Sequence, residues 1–242
     1  MVNQMRLKIK FDEIKYAIEQ ASVEQHYFID KKNHQVILIS ESKEDYKKKL
    51  EEAENDNFIA IEPRMPDQEI MESFVYNMTE DTFGIAEKFY DVLEQRKPVM
   101  KFLELINQLP ELKKKWFKYK DKKMANETMN WLCINEIELE DKSFIPNIKI
   151  KELSIDEVKL PEEWETFGPV TCMNCHNKEG LITRYFELNV SNENMLIDKE
   201  IKRIMKEKYG IDDYGCIGGG DKEVLTASEC PKCKSTHIFE DL

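Results

Sequence analysis

The sequence predicts an α+β fold, in which a small antiparallel sheet with a helical bundle is followed by a second, smaller α+β domain. Short apolar runs bounded by turn residues, which are typical of strands, occur early in the chain. Apolar residues at helical spacing then dominate residues 66–137. Two closely spaced cysteine pairs lie in the last third of the chain, beyond a proline-interrupted stretch. These features indicate two domains of different architecture.

The composition is that of a folded, acidic protein. Of the 242 residues, 41% are hydrophobic and 35% are charged, and the net charge at pH 7 is −12. This negative charge disfavours a general nucleic-acid binder, because a phosphate backbone is repelled at long range. The N-terminus lacks the apolar core of a signal peptide, and no run of about 18 apolar residues occurs. We therefore expect a cytoplasmic protein without membrane contact, whose cysteines are free thiols or metal ligands.

The first elements follow from local spacing. The apolar positions of "FDEIKYAIEQAS" lie at helical spacing, with charged residues between them. "HYFID" and "QVILIS" are typical of two strands joined by a polar turn at 31–34. The unbroken apolar run at 36–39 predicts a strand that is covered on both faces. The charged segment "KEDYKKKLEEAEND" predicts a helix, and "FIAIEP" predicts a third strand that ends at Pro63.

The segment from Pro66 to Ile137 predicts a bundle of helices, which Pro98 and Pro110 divide. Each helix has an apolar stripe that should face the core. Cys133, in the last stripe, is also expected in the core. The expected stripes are Met71, Phe74 and Met78; Phe83, Ala86, Phe89, Tyr90 and Leu93; Met100, Leu103 and Ile106; Leu112, Trp116 and Tyr119; and Trp131 with Leu132.

Residues 141–169 change character, because three prolines interrupt short alternating stretches. We place the domain boundary here, with an α+β domain at 1–140, a linker or edge strand at 141–169 and a cysteine-containing domain at 170–242. In the last domain, "LITRYFELNV" predicts a strand whose inward face includes Ile182. "MLIDKEIKRIMKEKYG" predicts a helix with Ile197, Ile201, Ile204 and Met205 inward and Gly210 as its C-cap. "VLTAS" predicts another short strand.

Residues 11–140 resemble a known family. The resemblance is carried by "FDEIKYAIEQAS", "HYFID", "FIAIEP", "MESFV", "FLELINQLPELKKKWFKY" and "NWLCINEIE", which occur in that order and near the expected spacing. In these segments the chain is similar to the bacterial "uncharacterised protein family 0158", which usually has a glycine turn where this chain has 31–34. The resemblance implies an α+β fold and a bacterial-type origin but no activity. It does not extend to the cysteine pairs.

Cys172 and Cys175 form one C-x-x-C pair, and Cys230 and Cys233 form another. A two-residue spacer lets both thiolates of a pair meet one ion, and two pairs complete a tetrahedron. Residues 176–229 contain a predicted strand and helix, so we interpret them as a folded insertion that brings the pairs together. The pattern predicts a zinc-ribbon-like domain with one structural Zn²⁺ per chain. Loss of a ligand is then expected to unfold this domain, because metal binding supplies folding energy.

Other functions of the cysteines are less consistent with the sequence. A thioredoxin-type pair needs a following helix to lower its thiol pKa, and neither pair opens a convincing helix. An iron–sulfur cluster also accepts four cysteines, but two separated pairs suit a ribbon better. His176, His237 or Cys216 could replace a ligand. We favour surface or ligand-supporting positions for the histidines and a buried or loop position for Cys216.

The segment "KKKWFKYKDKK" at 113–123 interleaves lysines with aromatic residues, a composition seen at nucleic-acid surfaces. Leu112, Trp116 and Tyr119 share one helical face and should pack inward, so we favour a solvated lysine face. The glycine-rich "GCIGGGDKE" lacks the lysine and hydroxyl residue of a phosphate-binding loop, so its glycines are expected in a loop or bulge. The candidate nucleic-acid contacts are Lys113, Lys114, Lys115, Lys118 and Lys120.

These observations favour an intracellular, zinc-containing binding or regulatory protein over an enzyme. A zinc ion with four thiolate ligands has no open position for water, and no Ser/His/Asp or Cys/His set is recognisable among four histidines. The ribbon domain would present an interaction surface, to a protein rather than to nucleic acid because of the negative charge. Two alternatives are an enzyme with its site in a cleft between the domains and a nucleic-acid binder that uses residues 113–123.

Overall fold

The computed structural model describes residues 5–41, 45–53, 55–62, 67–78, 83–158, 170–178, 180–217, 223–236 and 238–240. The expectations for the glycines at 218–220 and for His237 lie outside these residues. The fold is α+β, as predicted, with helices and small sheets that are mainly antiparallel. The chain divides into two compact units, Met1–Lys142 and Ser143–Leu242.

The first unit mixes helices with short strands and then continues as a run of helices. Its described elements are β1 (Met5–Leu7), α1 (Phe11–Gln20), β2 (Gln25–Asp30), β3 (Gln35–Ser40), α2 (Tyr46–Ala53), β4 (Phe58–Ile61), α3 (Gln68–Tyr76), α4 (Phe83–Leu93), α5 (Pro98–Asn107), α6 (Pro110–Ile134) and β5 (Ile137–Leu139). The strands predicted at 26–30 and 35–40 are thus confirmed within one residue, and the helix predicted at 11–22 begins at Phe11 as expected and ends two residues early, at Gln20.

A three-stranded antiparallel sheet, in the order β3-β2-β4, lies early in this unit. In the β2–β3 turn, the Asp30 carboxylate accepts hydrogen bonds from the backbone N–H groups of Lys32 and Asn33, each at 3.0 Å. His34 closes the turn with a φ of 51°, a left-handed conformation that glycine adopts at least cost. The polar turn at 31–34 is therefore held by an aspartate side chain and tolerates a non-glycine residue at its left-handed position.

The strand β3 is not fully covered on both faces. Ile39 packs with Phe28 and Ala53 in a small core beneath α2, but 40% of the surface of Leu38 is exposed. Successive strand residues point to opposite faces, and β3 forms an edge of the sheet. The prediction that the run 36–39 is covered on both faces is therefore wrong. The central strand of the sheet, β2, is the one that is buried on both faces.

An aromatic cluster forms the core of the helical part of this unit. The ring centroid of Trp116, in α6, lies 4.9 Å from that of Phe102 and 5.3 Å from that of Phe74. The ring centroids of Phe89 and Phe102 also lie 4.9 Å apart. Tilted and edge-on aromatic pairs add to the stabilisation that apolar burial provides. Trp116 is buried, so its predicted inward position is confirmed.

The predicted stripe of α5 is partly wrong. Ile106 is buried as expected, but Met100 and Leu103 are exposed and Phe102 is fully buried. Phe102 and Ile106 are four residues apart and share a helical face, and this face meets the aromatic cluster. Tyr90, which was expected in the buried stripe of α4, is 43% exposed.

Ion pairs join α1 to α6. Lys15 Nζ lies 2.8 Å from Asp121 Oδ1, and Lys120 Nζ lies 2.9 Å from Glu19 Oε1. The same Lys120 ammonium lies 3.2 Å from Asp67 Oδ2, next to the first residue of α3. Lys120 therefore connects three parts of the first unit.

The two ends of the first unit meet. β1 and β5 pair in parallel, with Met5 opposite Ile137 and Leu7 opposite Leu139. The N–H of Glu140 donates to the Leu7 carbonyl at 3.0 Å. Because Leu7, Ile137 and Leu139 are all buried, this pairing fixes β1 to the strand that follows α6.

The second unit is built on a four-stranded antiparallel sheet. Its described elements are β6 (Ile150–Leu153), a 3-10 turn (Ile155–Glu157), β7 (Val170–Cys172), β8 (Ile182–Leu188), α7 (Met195–Tyr209), β9 (Gly215–Ile217), β10 (Val224–Glu229) and β11 (Ile238–Glu240). The main sheet has the order β6-β8-β10-β9, and β7 pairs with β11 in a separate two-stranded ladder. None of the helices in the described part of the chain is both long and apolar enough to cross a lipid bilayer.

The helix α7 covers the main sheet. The Asn194 side chain caps the helix by accepting a hydrogen bond from the Ile197 N–H at 2.9 Å, and Gly210 ends it with a φ of 69°. The predicted C-cap is thus confirmed. The inward prediction for Ile182 is wrong, because 47% of the surface of this first residue of β8 is exposed. The buried core shared by the helix and the sheet is Ile150, Phe186, Leu188, Ile197, Ile201, Met205, Ile211, Leu225 and Ala227.

Candidate metal centre

The first cysteine pair lies in a tight hairpin-like loop, the first knuckle, which begins at Cys172, the last residue of β7. The Cys172 N–H donates to the Asn177 carbonyl at 2.9 Å, and the His176 N–H donates to the Cys172 carbonyl at 2.8 Å. His176 has a left-handed φ of 56°. These bonds turn the chain so that the thiols of Cys172 and Cys175 face the same point.

The second pair forms an equivalent loop, the second knuckle, after β10. The Cys230 N–H donates to the Ser235 carbonyl at 2.9 Å, and the Lys234 N–H donates to the Cys230 carbonyl at 2.8 Å. Lys234 has a φ of 63°. Hydrogen bonds and the left-handed residue thus occur at the same offsets from the first cysteine in both knuckles. The backbone hydrogen bonds that close the knuckles were not predicted. Neither left-handed position is a glycine, so the sequence carries no sign of a tight turn there.

Strand pairing brings the knuckles together. β8 and β10 pair antiparallel, with Ile182 opposite Glu229, so the chain leaving the first knuckle runs beside the chain entering the second. On the other side, β7 and β11 pair with Cys172 opposite Ile238. Residues 176–229 therefore act as a folded insertion whose two ends are adjacent.

The four sulfur atoms converge on one point. All four Sγ atoms lie within 4.8 Å of one another, and this is the one such cluster of potential ligands among the residues that the structure describes. Cys172 Sγ is 3.5 Å from Cys233 Sγ, well beyond a disulfide bond. A tetrahedral Zn–S distance of about 2.3 Å requires sulfur atoms about 3.8 Å apart. The donor set therefore fits one tetrahedral ion, and the four cysteines could hold a metal.

The thiols differ in acidity. Burial opposes the ionisation of Cys230, but backbone N–H groups within its own knuckle outweigh that effect and lower its pKa to about 6. The backbone N–H of Ser235 is the main cause that lowers the pKa of Cys233. A backbone hydrogen bond also favours the Cys175 thiolate, but neighbouring thiols and burial raise its pKa to about 12. The second knuckle thus favours the thiolate form, which is the form that binds a metal.

The other candidate ligands lie outside this cluster. His176 is exposed at the rim of the first knuckle, and the cluster of close ligand atoms includes neither its ring nor Cys216. Cys216 lies in β9, and not in a loop or the core, and its thiol is 3.8 Å from Glu223 Oε2. Burial and, after it, the Glu223 carboxylate raise the pKa of this thiol. Cys133 is half-buried, so its predicted core position is wrong.

The candidate lysines of α6 have different environments. Lys120 is held by the two carboxylates described above, and Lys114 Nζ lies 2.9 Å from Glu111 Oε1. Lys113 Nζ lies 5.9 Å from the ring centroid of Phe117. The remaining candidates are exposed: Lys115 and Lys118.

The fold and the cysteine cluster define an α+β protein whose second unit could hold a metal ion through four thiols. The chain belongs to the Uncharacterised protein family (UPF0158), whose family model matches residues 4–185. It is similar to the UPF0158 protein PA5073 of Pseudomonas aeruginosa, with 25% identity over 135 residues that make up 54% of this chain and 86% of that protein. No solved structure matches the chain.

The family match extends further than the segments that carry the resemblance. Those segments end near residue 140, whereas the family match reaches residue 185 and includes Cys172 and Cys175. The expectation that the resemblance excludes both cysteine pairs is therefore wrong for the first pair. Cys230 and Cys233 lie beyond the matched residues.

Proposed function

We propose that this protein is a zinc-containing binding or regulatory protein of the cytoplasm, in which one zinc ion joins the two knuckles of the second unit, a zinc-ribbon-like module. The observation that carries the proposal is the meeting of four sulfur atoms from two equivalent knuckles within 4.8 Å. Cysteine thiolates at this spacing form closed, tetrahedral zinc sites in proteins. The ribbon would then present a surface to another protein, since the chain has a net charge of −12.

A structural role for the metal follows from the ligand set. Four thiolates fill the coordination sphere of Zn²⁺ and leave no position for a water molecule or substrate. Four negative ligands also reduce the ability of the ion to polarise a bound group, because the site carries a charge of about −2. The site is therefore suited to hold the knuckles and not to perform hydrolysis.

The spacing of the sulfur atoms favours a single ion over a cluster. All of them lie within 4.8 Å of one another, which leaves space for one central ion but not for several iron and sulfide ions. Neither knuckle opens a helix within the described residues, so the helix N-terminus that activates redox C-x-x-C pairs has no counterpart there. Both features support zinc.

X-ray absorption at the zinc edge of the purified full chain tests this assignment. We expect four sulfur neighbours at about 2.3 Å. Oxygen or nitrogen neighbours in the first coordination sphere would show that a water or histidine completes the site, and bound iron in place of zinc would contradict the proposal. The binding role is tested by cross-linking in the native cells followed by purification, where we expect a protein partner and not a nucleic acid.

A second candidate function, nucleic-acid binding, has one observation in its favour. Phe117 is 53% exposed on α6, and it lies beside Lys113 on the same helix. An exposed aromatic ring next to lysines can stack on an unpaired base. If α6 has this function, Phe117→Ala weakens the binding of a labelled single-stranded oligonucleotide to the full chain about 10-fold. Equal binding by both proteins excludes this use of α6.

A further inference from the structure

The first unit contains a groove of about 860 Å³ beside α3. One wall is formed by a stripe of α3 that includes Glu69, Glu72 and Tyr76, which lie at i, i+3 and i+7 and so share a helical face. The rest of its lining includes Tyr90, near the end of α4, residues 94–97 between α4 and α5, and Pro98, the first residue of α5. This volume is within the range of sites that bind small molecules or peptide side chains.

Two exposed aromatic rings line the groove. Tyr76 has 80% of its surface exposed and Tyr90 has 43%, whereas tyrosine is on average a residue of intermediate burial. Tyrosine is among the residues that contribute most to binding energy at protein interfaces, because its ring is large and loses little conformational entropy. The two rings therefore suggest a surface that another molecule covers.

The charges of the groove define what can occupy it. Glu72 accepts a hydrogen bond from the Gln68 amide at 2.9 Å. Glu69 and Glu94 form no ion pair with any other residue that the structure describes. Carboxylates next to tyrosine rings attract a cationic side chain, through charge and through cation–π contact. The same carboxylates repel a nucleic-acid backbone.

We propose that this groove binds a segment of a partner protein that inserts one lysine or arginine side chain, which the tyrosines Tyr76 and Tyr90 and the carboxylates of Glu69, Glu72 and Glu94 receive. The inference deepens the proposed binding function, on which it rests, because it names the chemistry of the partner. It does not depend on the metal, since all of these residues lie in the first unit.

Two basic residues limit the partner segment to a single cation. Arg96 and Lys97 also line the groove, next to Pro98 at the start of α5. Their positive charges repel a second basic residue and favour a neutral or acidic residue beside the inserted cation. A polybasic segment is therefore a poor occupant of this groove.

Selection from a random peptide library displayed on phage tests the proposal. The full chain and its Tyr76→Ala variant are each immobilised, and peptides that bind the first but not the second are retained. Tyr76→Ala is suitable because the side chain is largely exposed, so its removal leaves the core intact. Tyr16→Ala is the matched control, because Tyr16 is also exposed, at 59%, but does not line the groove.

We expect the retained peptides to share one lysine or arginine with neutral or acidic neighbours. Fluorescence anisotropy on a retained peptide should show binding about 10-fold weaker for Tyr76→Ala and for Glu72→Gln, and unchanged for Tyr16→Ala. Replacing the basic residue of the peptide with glutamine should weaken binding to a similar degree. A selection that yields no peptide dependent on Tyr76, or peptides without a basic residue, overturns the proposal.

The zinc content of the same samples separates this inference from the proposed metal site. Peptide binding by a protein that lacks zinc contradicts the metal proposal and leaves the groove supported. A full zinc content with no Tyr76-dependent peptide contradicts the groove and leaves the metal site supported.

Discussion

Cys172 and Cys233 belong to different knuckles, and their sulfur atoms lie 3.5 Å apart across 61 residues of sequence. Their meeting depends on the insertion at 176–229, whose ends are paired through β8 and β10. The backbone of each knuckle is closed by its own hydrogen bonds. The metal therefore does not have to order the whole second unit, because strands and turns already direct the thiols to one point.

The first prediction concerns metal removal. The core of the second unit consists of residues from β6, β8, α7, β10 and the segment after α7, and none of them is a cysteine of the knuckles. We therefore expect a chelator to loosen the knuckles and the β7–β11 ladder while this core stays folded. Hydrogen exchange should accelerate at Cys172 and Cys230, whose N–H groups close the knuckles, and stay slow at Phe186 and Leu225.

From the cysteine pattern alone, loss of the metal was expected to unfold the whole cysteine-containing domain. The structure restricts the expected loss of order to the knuckles and the β7–β11 ladder. In small zinc fingers that lack a core, the domain folds only when zinc binds, so the apparent binding free energy of about 10 kcal/mol or more is also the free energy that stabilises the fold. If hydrogen exchange at Phe186 accelerates as much as at Cys172 after chelation, the core does not stay folded without the metal, and the expectation that the whole domain unfolds is right.

The second prediction concerns the first unit as an independent domain. Residues 1–142 retain the pairing of Leu7 with Leu139, whereas residues 1–134 lose all of β5. We expect the longer fragment to unfold cooperatively in urea and the shorter one to be destabilised or unfolded. Tryptophan fluorescence of the buried Trp116 reports the transition. Equal stability of the two fragments would show that the β1–β5 pairing contributes nothing.

The third prediction concerns Lys120. Burial opposes its charge, but the hydrogen bonds and charges of Glu19 and Asp67 outweigh burial and raise its pKa above the usual 10.5. Replacement by methionine should destabilise the first unit by about 1 kcal/mol, a small effect because solvent screens the partly exposed pairs. Lys118→Met, at an exposed position of the same helix, should change the stability little.

The pH dependence of this effect has a defined sign. A lysine whose pKa is raised by folding stabilises the protein fully below pH 10.5, and the stabilisation is lost as the pH rises through the folded-state pKa. The difference in urea midpoint between the wild type and Lys120→Met should therefore be constant near neutral pH and shrink above pH 10.5. A difference that grows with pH would contradict the ion-pair assignment.

The fourth prediction concerns the end of α6. Glu136 follows the helix with a left-handed φ of 55°, and its N–H donates to the Cys133 carbonyl at 3.2 Å. Glycine relieves the strain of this conformation, so Glu136→Gly should raise the free energy of unfolding of the first unit by about 1 kcal/mol. Glu136→Ala removes the same side chain but retains Cβ, and it should bring no such gain. Equal effects of the two substitutions would exclude backbone strain as the cause.

Sequence spacing predicted the elements of this protein best where one face of a helix is buried. Of the residues expected inward on α7, Ile197, Ile201 and Met205 are buried and Ile204 is half-buried, and Gly210 ends that helix as expected. Each of these features depends on residues within one or two helical turns. Local periodicity therefore suffices for them.

The spacing of apolar residues gave wrong predictions where contacts with other helices determine which residue is buried. In α5, the exposed Leu103 and the buried Phe102 are adjacent and both apolar. The choice depends on the position of Phe89 and Trp116, which come from other helices. The groove beside α3 was missed for a similar reason, although the spacing of Glu69, Glu72 and Tyr76 on one helical face was a usable signal.

The candidate metal site was predicted in part. The two-residue spacers identified the cysteines and their tetrahedral chemistry. They could not identify the strand registers that place Ile182 opposite Glu229 and Cys172 opposite Ile238. Such registers depend on long-range pairing, which a local pattern does not contain.

The metal content of the full chain, purified under reducing conditions, tests the central claim most directly. Elemental analysis should find about one zinc per chain in the wild type and in Cys216→Ser, since Cys216 lies outside the cluster of four thiols. Cys172→Ser and Cys230→Ser, which each remove a buried ligand, should lose most of that zinc. Zinc well below one per chain in the wild type, or zinc retained in full by both ligand variants, would contradict the claim that the two knuckles share one structural zinc.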